Sequence, residues 1–277
     1  MNRNQQSIPK FGLLTNPLKS VPDEISLFKT LGFDYVEIGI EEPQAAPQIL
    51  MRQRDEILSS LAKSTLFPLG HTAYWVGFGS SHENVRRGWI EEGKDMIRVA
   101  SALGIGFLNF HFYSRLGMVG TTEASRETFL KNFASSVAEL TQFASEEKVT
   151  LMLENVPPEN GSPLESIEAF SRVMEAVPRL EFHLDVAHAY IEGRMKRVTE
   201  YLDTFKERLV HIHIHDNHGR HDEHLPLGAG KIDFRKVITI LKDIQYDRTI
   251  TFEVFTSRSD AVRSREFFKN RWRRTKP

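Results

Sequence analysis

The segment EFHLDVAHAYIEGRMKRVTEYLDTFKERLVHIHIHD (181–216) reads in three parts. EFHLDVAHA (181–189) and VHIHIHD (210–216) have the length and alternation of β-strands, and the residues between them carry a helical period. Strand, helix and strand in that order imply a right-handed crossover and a parallel pair. Working outward, the unit repeats. FGLLT (11–15), YVEIGI (35–40), FPLGHTAY (67–74), FLNFHFY (107–113) and TLMLENV (150–156) precede it, and TITFEVF (249–255) follows. Between strands, Val85, Trp89, Met96, Ala100 and Leu103 form an apolar stripe across 83–103. Phe129, Phe133, Val137, Leu140 and Ala144 form another across 125–147, and 258–272 carries Val262, Phe267 and Trp272 among many charges. Eight strands alternating with helices in 277 residues predict one α/β domain over 1–277, a TIM (β/α)8 barrel. An open doubly wound sheet would want a glycine-rich phosphate loop after its first strand, and TNPLKSVPDE (15–24) has no glycine.

Composition narrows the chemistry. The 36 Lys and Arg against 37 Asp and Glu give a formal charge of −1. That balance announces neither a nucleic-acid nor a membrane partner, although a local basic patch is compatible with it. With no cysteine, disulfides, thiolate zinc sites and cysteine nucleophiles are excluded, so a metal here is held by nitrogen and oxygen. The N-terminus MNRNQQSIPK is polar, and no apolar run reaches bilayer-spanning length. A soluble cytoplasmic protein is expected. The basic tail RWRRTKP (271–277) reads as a solvated end, with a phosphate-binding arm as the minority alternative.

The residues that carry chemistry cluster by position. In a barrel, alternate residues of each strand point inward, and active sites form at the C-terminal strand ends. His71 lies near the end of the third strand, His111 of the fourth, Glu154 of the fifth and Asp185 of the sixth. His213 lies in the seventh and Glu253 near the end of the eighth, so six consecutive strands each deliver one metal-competent side chain. Carboxylates crowded at one mouth repel each other, or sit desolvated, without a cation among them. By parity His183 points inward one layer below Asp185, and His211 and His215 share the face of His213. His183 and His211 are expected to hydrogen-bond beneath the site. His188, three residues after Asp185, and the pair Asp222 and His224 in the next loop face the mouth. His71, His111, His188, Asp222 and His224 are read as ligands or as substrate contacts, while His82, His218 and His221 are expected to be ordinary surface residues. Imidazoles with carboxylates and no thiolate suit Mn²⁺, Zn²⁺, Co²⁺, Fe²⁺ or Mg²⁺.

LNFH (108–111), LMLEN (151–155), HLDVAH (183–188), HIHD (213–216), DEHLPLGAGKIDF (222–234) and FEVF (252–255) together resemble the xylose isomerase-like TIM-barrel superfamily. That superfamily holds sugar isomerases and epimerases, among them proteins described as sugar phosphate isomerase/epimerase-like, and the endonuclease IV type of AP endonuclease (AP endonuclease family 2). The resemblance implies a shared metal site on Glu154, Asp185, His213 and Glu253. In the epimerase branch it makes Glu154 and Glu253 the proton acceptor and donor and puts His188 on the substrate. In the endonuclease branch it implies three metals, the first on His71, His111 and Glu154 and the second on Glu154, Asp185, His213 and Glu253. The third falls on His188, Asp222 and His224. The first strand departs from that branch, reading FGLLTNP (11–17) where a Gly-x-His-like strand followed by a Gly pair is expected, and the loops have no arginine-rich stretch to grip a kinked duplex.

The expectation is therefore a metal-dependent isomerase or epimerase acting on a small carbohydrate or sugar phosphate. One divalent ion is expected, and up to three fit the residues. Trp75 and Phe78 either cover an apolar sugar face or pack their own loop. The alternative is a multi-zinc phosphodiesterase acting on DNA, and a third reading is a binding protein that keeps the metal as scaffold. Barrels of this kind often pair, which makes a homodimer the assembly to test.

Overall fold

The computed structural model describes residues 7–113, 122–157 and 166–275. The first six and last two residues, which carry much of the polar N-terminus and the end of the basic tail, lie outside these ranges. Eight parallel strands follow one another around a closed barrel in chain order. They are β1 (Lys10–Leu14), β2 (Tyr35–Ile40), β3 (Phe67–Thr72), β4 (Phe107–His111), β5 (Thr150–Glu154), β6 (Glu181–Asp185), β7 (Leu209–Ile214) and β8 (Thr249–Phe252). The helices are α1 (Val21–Thr30), α2 (Pro47–Arg52), α3 (Arg54–Ser64), α4 (Glu83–Ala102), α5 (Glu123–Glu146), α6 (Ile167–Ala176), α7 (Val186–Phe205), α8 (Phe234–Asp243) and α9 (Arg258–Arg274). The TIM barrel read from the sequence is the observed architecture, with two helices instead of one between β2 and β3.

Local chemistry sets the boundaries. The alternation in EFHLDVAHA predicts a sixth strand through Ala189, but the strand stops at Asp185 and α7 begins at Val186. Asp185 caps that helix: its Oδ1 accepts the His188 N–H at 2.7 Å, one of the donors that a helix N-terminus leaves unpaired. In α5 the five stripe residues are all buried. In α4 the stripe is buried at Met96, Ala100 and Leu103 and half-buried at Trp89, which packs against the core; Val85 is 52% exposed, and Ile90, Gly93 and Ile97 widen the buried face. In α9 Phe268 and Trp272 are buried while Val262 and Phe267 are half-buried. Arg265 of α9 is buried as well, donating to the carbonyls of Leu31 and Gly32 at 2.8 Å with its guanidinium over the Phe33 ring.

Apolar side chains fill the layer between strands and helices, whereas the barrel interior is polar. Tyr35, Glu37, Asn109, His183, His211, His213 and Thr251 are each at most 1% exposed. Tyr35 enters because Gly12 opposite it has no side chain, since a Cβ there would sit 2.2 Å from the tyrosine ring. Among the described residues no helix is long and apolar enough to cross a membrane.

Candidate metal centre

The register lines the ligand-type residues up strand by strand. His111 pairs with Glu154, Glu154 with His183, and Asp185 with His213 across neighbouring strands. Glu154 is the hub. Its Oε2 accepts from Asn109 Nδ2 at 2.6 Å and lies 3.1 Å from His111 Nε2 and 3.6 Å from His71 Nε2. Its Oε1 lies 3.5 Å from His188 Nδ1 and 3.9 Å from His213 Nδ1. Burial alone would raise the pKa of such a carboxyl, but the histidines around it, His183 and His111 foremost, hold it well below the carboxylate range. Glu253 reaches in from the end of β8, three strands round the barrel from β5, and lies 3.4 Å from His213 Nδ1 and 3.6 Å from His224 Nδ1. Against the same cost of burial, His213 and His224 bring its pKa down to about 2.

Asn155 fixes Asp185 by imitating a strand, its side chain donating to the Asp185 carbonyl at 3.0 Å and accepting the Asp185 N–H at 2.9 Å. Asp185 Oδ2 lies 3.4 Å from His215 Nε2, which lies 4.0 Å from Glu253 Oε2. Strand parity predicts an inward His215 with no assigned role, and in the structure it stands between two of the expected ligands, Asp185 and Glu253. A strand end that reads H-x-H-x-H on one face was the signal for it.

Above these, the loop after β7 presents Asp222 and His224. His188 Nδ1 donates to the Asn155 carbonyl at 2.9 Å, and His224 Nδ1 donates to the Glu253 carbonyl at 3.0 Å. Both rings therefore turn Nε2 to the same oxygen, Asp222 Oδ2, at 3.1 and 3.0 Å. A ring whose far N–H is spent on a backbone carbonyl is oriented as metal-binding histidines are. The loop is fastened from below by Asp216, which is buried and accepts the N–H groups of Asn217, Gly228, Gly230 and Ile232 at 2.9–3.1 Å.

Among the described residues, three buried atoms face this space with no hydrogen-bond partner, Asp185 Oδ2, His213 Nδ1 and Glu253 Oε2. Both ring nitrogens of His71 and of His215 are in the same condition. An unpaired buried polar group costs about 1–3 kcal/mol, so the accumulation at one mouth fits a cation shared among them. His71, His111 and Glu154 offer ligand atoms within 4.8 Å of one another, as do Asp185, His188 and His215, and also His215, His224 and Glu253.

A cavity of about 420 Å³ opens over these residues, lined by His71, His111, Glu154, His188, Asp222, His224 and Glu253 together with Tyr74, Tyr113 and Phe255. Trp75 is not part of that lining. It packs edge-on against Trp89 at 5.7 Å, and its neighbour Tyr74 faces the cavity instead. Phe78 is fully buried against Phe110 and Phe133, so it packs the core. His218 is exposed and pairs with Glu223. Sequence reasoning also missed Glu37, a fully buried carboxylate within YVEIGI whose signal was a charge inside an otherwise apolar strand.

The family model described as Xylose isomerase-like TIM barrel matches residues 25–271. An uncharacterized protein of Methanocaldococcus jannaschii is 33% identical over 50% of this chain and 48% of its own length, so the chain spans about half of that relative. A probable endonuclease 4 of Aquifex aeolicus is 24% identical over 69% of this chain and 70% of its own. The L-ribulose 3-epimerase of a Methylomonas species is 29% identical over 82% of this chain and 75% of its own. Among solved structures, a D-tagatose 3-epimerase-like protein superposes with a TM-score of 0.82 at 24% identity, covering 96% of this chain and 98% of that one, a likeness of fold.

Proposed function

We propose, from the premise that the chain belongs to the xylose isomerase-like TIM-barrel family, that it is a metal-dependent epimerase or isomerase of a small sugar, acting at the carbon beside a carbonyl. The observation that carries this reading is the bracketing of one point by two glutamates. Glu154 and Glu253 approach His213 Nδ1 to 3.9 and 3.4 Å from strands on different sides of the mouth. The similarity to an L-ribulose 3-epimerase over most of both chains supports it. Glu154, Asp185, His213 and Glu253 would hold the cation, and a divalent ion there supplies the Lewis acidity that spreads the charge left when a proton leaves carbon.

The chain's own residues do the rest. Glu154, kept ionised by the histidines around it and steadied by Asn109, takes the proton from one face of the substrate. Glu253, ionised at rest, must first take up a proton from solvent in the bound complex; it gives that proton to the opposite face, which inverts the carbon, and Glu154 releases the proton it took to solvent to close the cycle. His188 binds a substrate hydroxyl, and Tyr74, Tyr113 and Phe255 cover the sugar's apolar face at the rim. We read 1–277 as one domain working in the cytoplasm.

One arrangement favours a second reading. The triads His71, His111, Glu154 and His188, Asp222, His224 both converge, which suits a multi-metal phosphodiesterase. Metal analysis of purified protein, followed by ketose and abasic-duplex assays side by side, separates the two. The expected result is ketose turnover with exchangeable Mn²⁺ or Co²⁺. Three tightly held zinc ions with strand nicking and no ketose turnover would replace the first reading by the second.

A further inference from the structure

One fully buried carboxylate has no part in the chemistry above. Glu37, in the middle of β2, sits in the barrel interior beneath the mouth. Its Oε2 lies 3.0 Å from His213 Nε2 and 3.2 Å from His211 Nε2, and its Oε1 lies 3.1 Å from His213 Nε2. The Thr251 hydroxyl donates to Oε2, and the Tyr35 hydroxyl lies 2.8 Å from that of Thr251. Strands β2, β7 and β8 thus meet on a single anion.

A carboxylate so placed accepts hydrogen bonds and does not donate them, so both rings present Nε2–H to it. For His213 this leaves Nδ1 as the nitrogen that can carry a lone pair, and Nδ1 has no hydrogen-bond partner among the described residues and faces Glu154 and Glu253. An imidazole free to turn or to move its proton would offer that lone pair only part of the time. A charge taken this far from water is costly, and the three donors that converge on Glu37, His213 Nε2, His211 Nε2 and the Thr251 hydroxyl, offset that cost.

We propose that Glu37 is the positioning residue of the site: it keeps the His213 proton on Nε2 and aims Nδ1 at the cation shared with Glu154, Asp185 and Glu253, while Thr251 and Tyr35 hold the carboxylate in place. The inference rests on the metal-centre reading of the mouth. A purely structural role for Glu37 would change stability and leave the metal affinity of the folded protein as it was.

The test is Mn²⁺ titration calorimetry on the metal-stripped full chain, with wild type beside Glu37→Gln and Thr251→Val, and circular dichroism to verify folding. Glutamine keeps the shape but has one acceptor oxygen, and outer partners of metal ligands typically set affinity by 10–100-fold. Glu37→Gln is expected to weaken Mn²⁺ by about that factor, and Thr251→Val by a smaller one. In the zinc-loaded protein the His213 Nε2 proton, seen by ¹⁵N-histidine NMR, is expected far downfield in wild type and shifted upfield in Glu37→Gln. Folded variants binding Mn²⁺ within twofold of wild type overturn the proposal. If Glu37→Gln does not fold, Thr251→Val, which leaves the carboxylate in place, decides alone. A wild type that takes up neither Mn²⁺ nor Zn²⁺ overturns the metal centre itself, an outcome distinct from unequal variants.

Discussion

Glu154 gathers more of the site than any other side chain, touching Asn109 and lying within 4 Å of His71, His111, His188 and His213. Replacing it by glutamine keeps the volume and one acceptor while removing the base. Glu154→Gln should lower kcat on the ketose by about 10²–10⁴-fold, the usual share of a positioned general base, with an unchanged far-ultraviolet circular dichroism spectrum. Turnover equal to wild type would refute the assignment. The ligand-type residues were legible in the sequence because each stands near the end of its strand, where a barrel's inward face and its mouth coincide. Glu37 and His215 were harder to read for opposite reasons. Glu37 lies in mid-strand, where an inward carboxylate is normally too costly to keep, and only its three-dimensional neighbours explain it. His215 lies one residue past the end of β7, and its function depends on Asp185 and Asp222, which no local pattern connects to it.

At the scale of elements, the strands were readable because period-two alternation survives even where the inward residues are histidines. The helices were less so at their edges: α4 buries Met96, Ala100 and Leu103 of its stripe but widens that face through Gly93, which lets the helix approach Leu140 and Phe78 closely, while Val85 at the first turn meets solvent. The motif DEHLPLGAGKIDF has a structural logic that sequence alone does not supply. Asp216 gathers four backbone N–H groups, and the chain must pass close enough for Gly230 to reach it. A Cβ on Gly230 would lie 2.4 Å from both the Asn217 carbonyl oxygen and Asp216 Oδ1. Gly230→Ala should therefore destabilise the fold by about 1–3 kcal/mol, the range for an intruding methyl group in a packed region. It should also raise the KM for substrate, because the same loop carries Asp222 and His224 over the cavity. Urea midpoints and steady-state kinetics report both effects, and an alanine variant with wild-type stability would mean that the loop tolerates a shift that these contacts do not allow.

For the whole molecule, a formal charge near zero conceals a concentration of histidine and carboxylate along one axis, and that concentration links stability to pH and, on the proposed metal-centre reading, to a divalent cation. Burial alone would lower the pKa of His188 and His213, but Asp185 and Asp222 raise the first, and Glu37, Glu253 and Glu154 the second, well above the free value. His224, against the same burial cost, is raised to about 9 by Glu253 and Asp222. A histidine whose folded pKa exceeds its unfolded value of about 6.5 gives stability that is complete below that pH and disappears as pH rises through the folded value. His111, His183 and His211, lowered chiefly by burial, are neutral in both states above about pH 6.5 and add no slope there. Metal-stripped protein should accordingly lose thermal stability between pH 7 and pH 9. On the proposed reading a divalent cation would replace those protons and bind more tightly as they leave. At a free ion concentration 100 times Kd it adds about 2.7 kcal/mol, on the order of 5–10 °C in Tm for a chain of this size. The difference in Tm between Mn²⁺-loaded and chelator-treated protein should therefore widen from pH 7 to pH 9 in scanning fluorimetry. A difference that stays constant or narrows would mean that protons and metal do not compete for the same imidazole nitrogens.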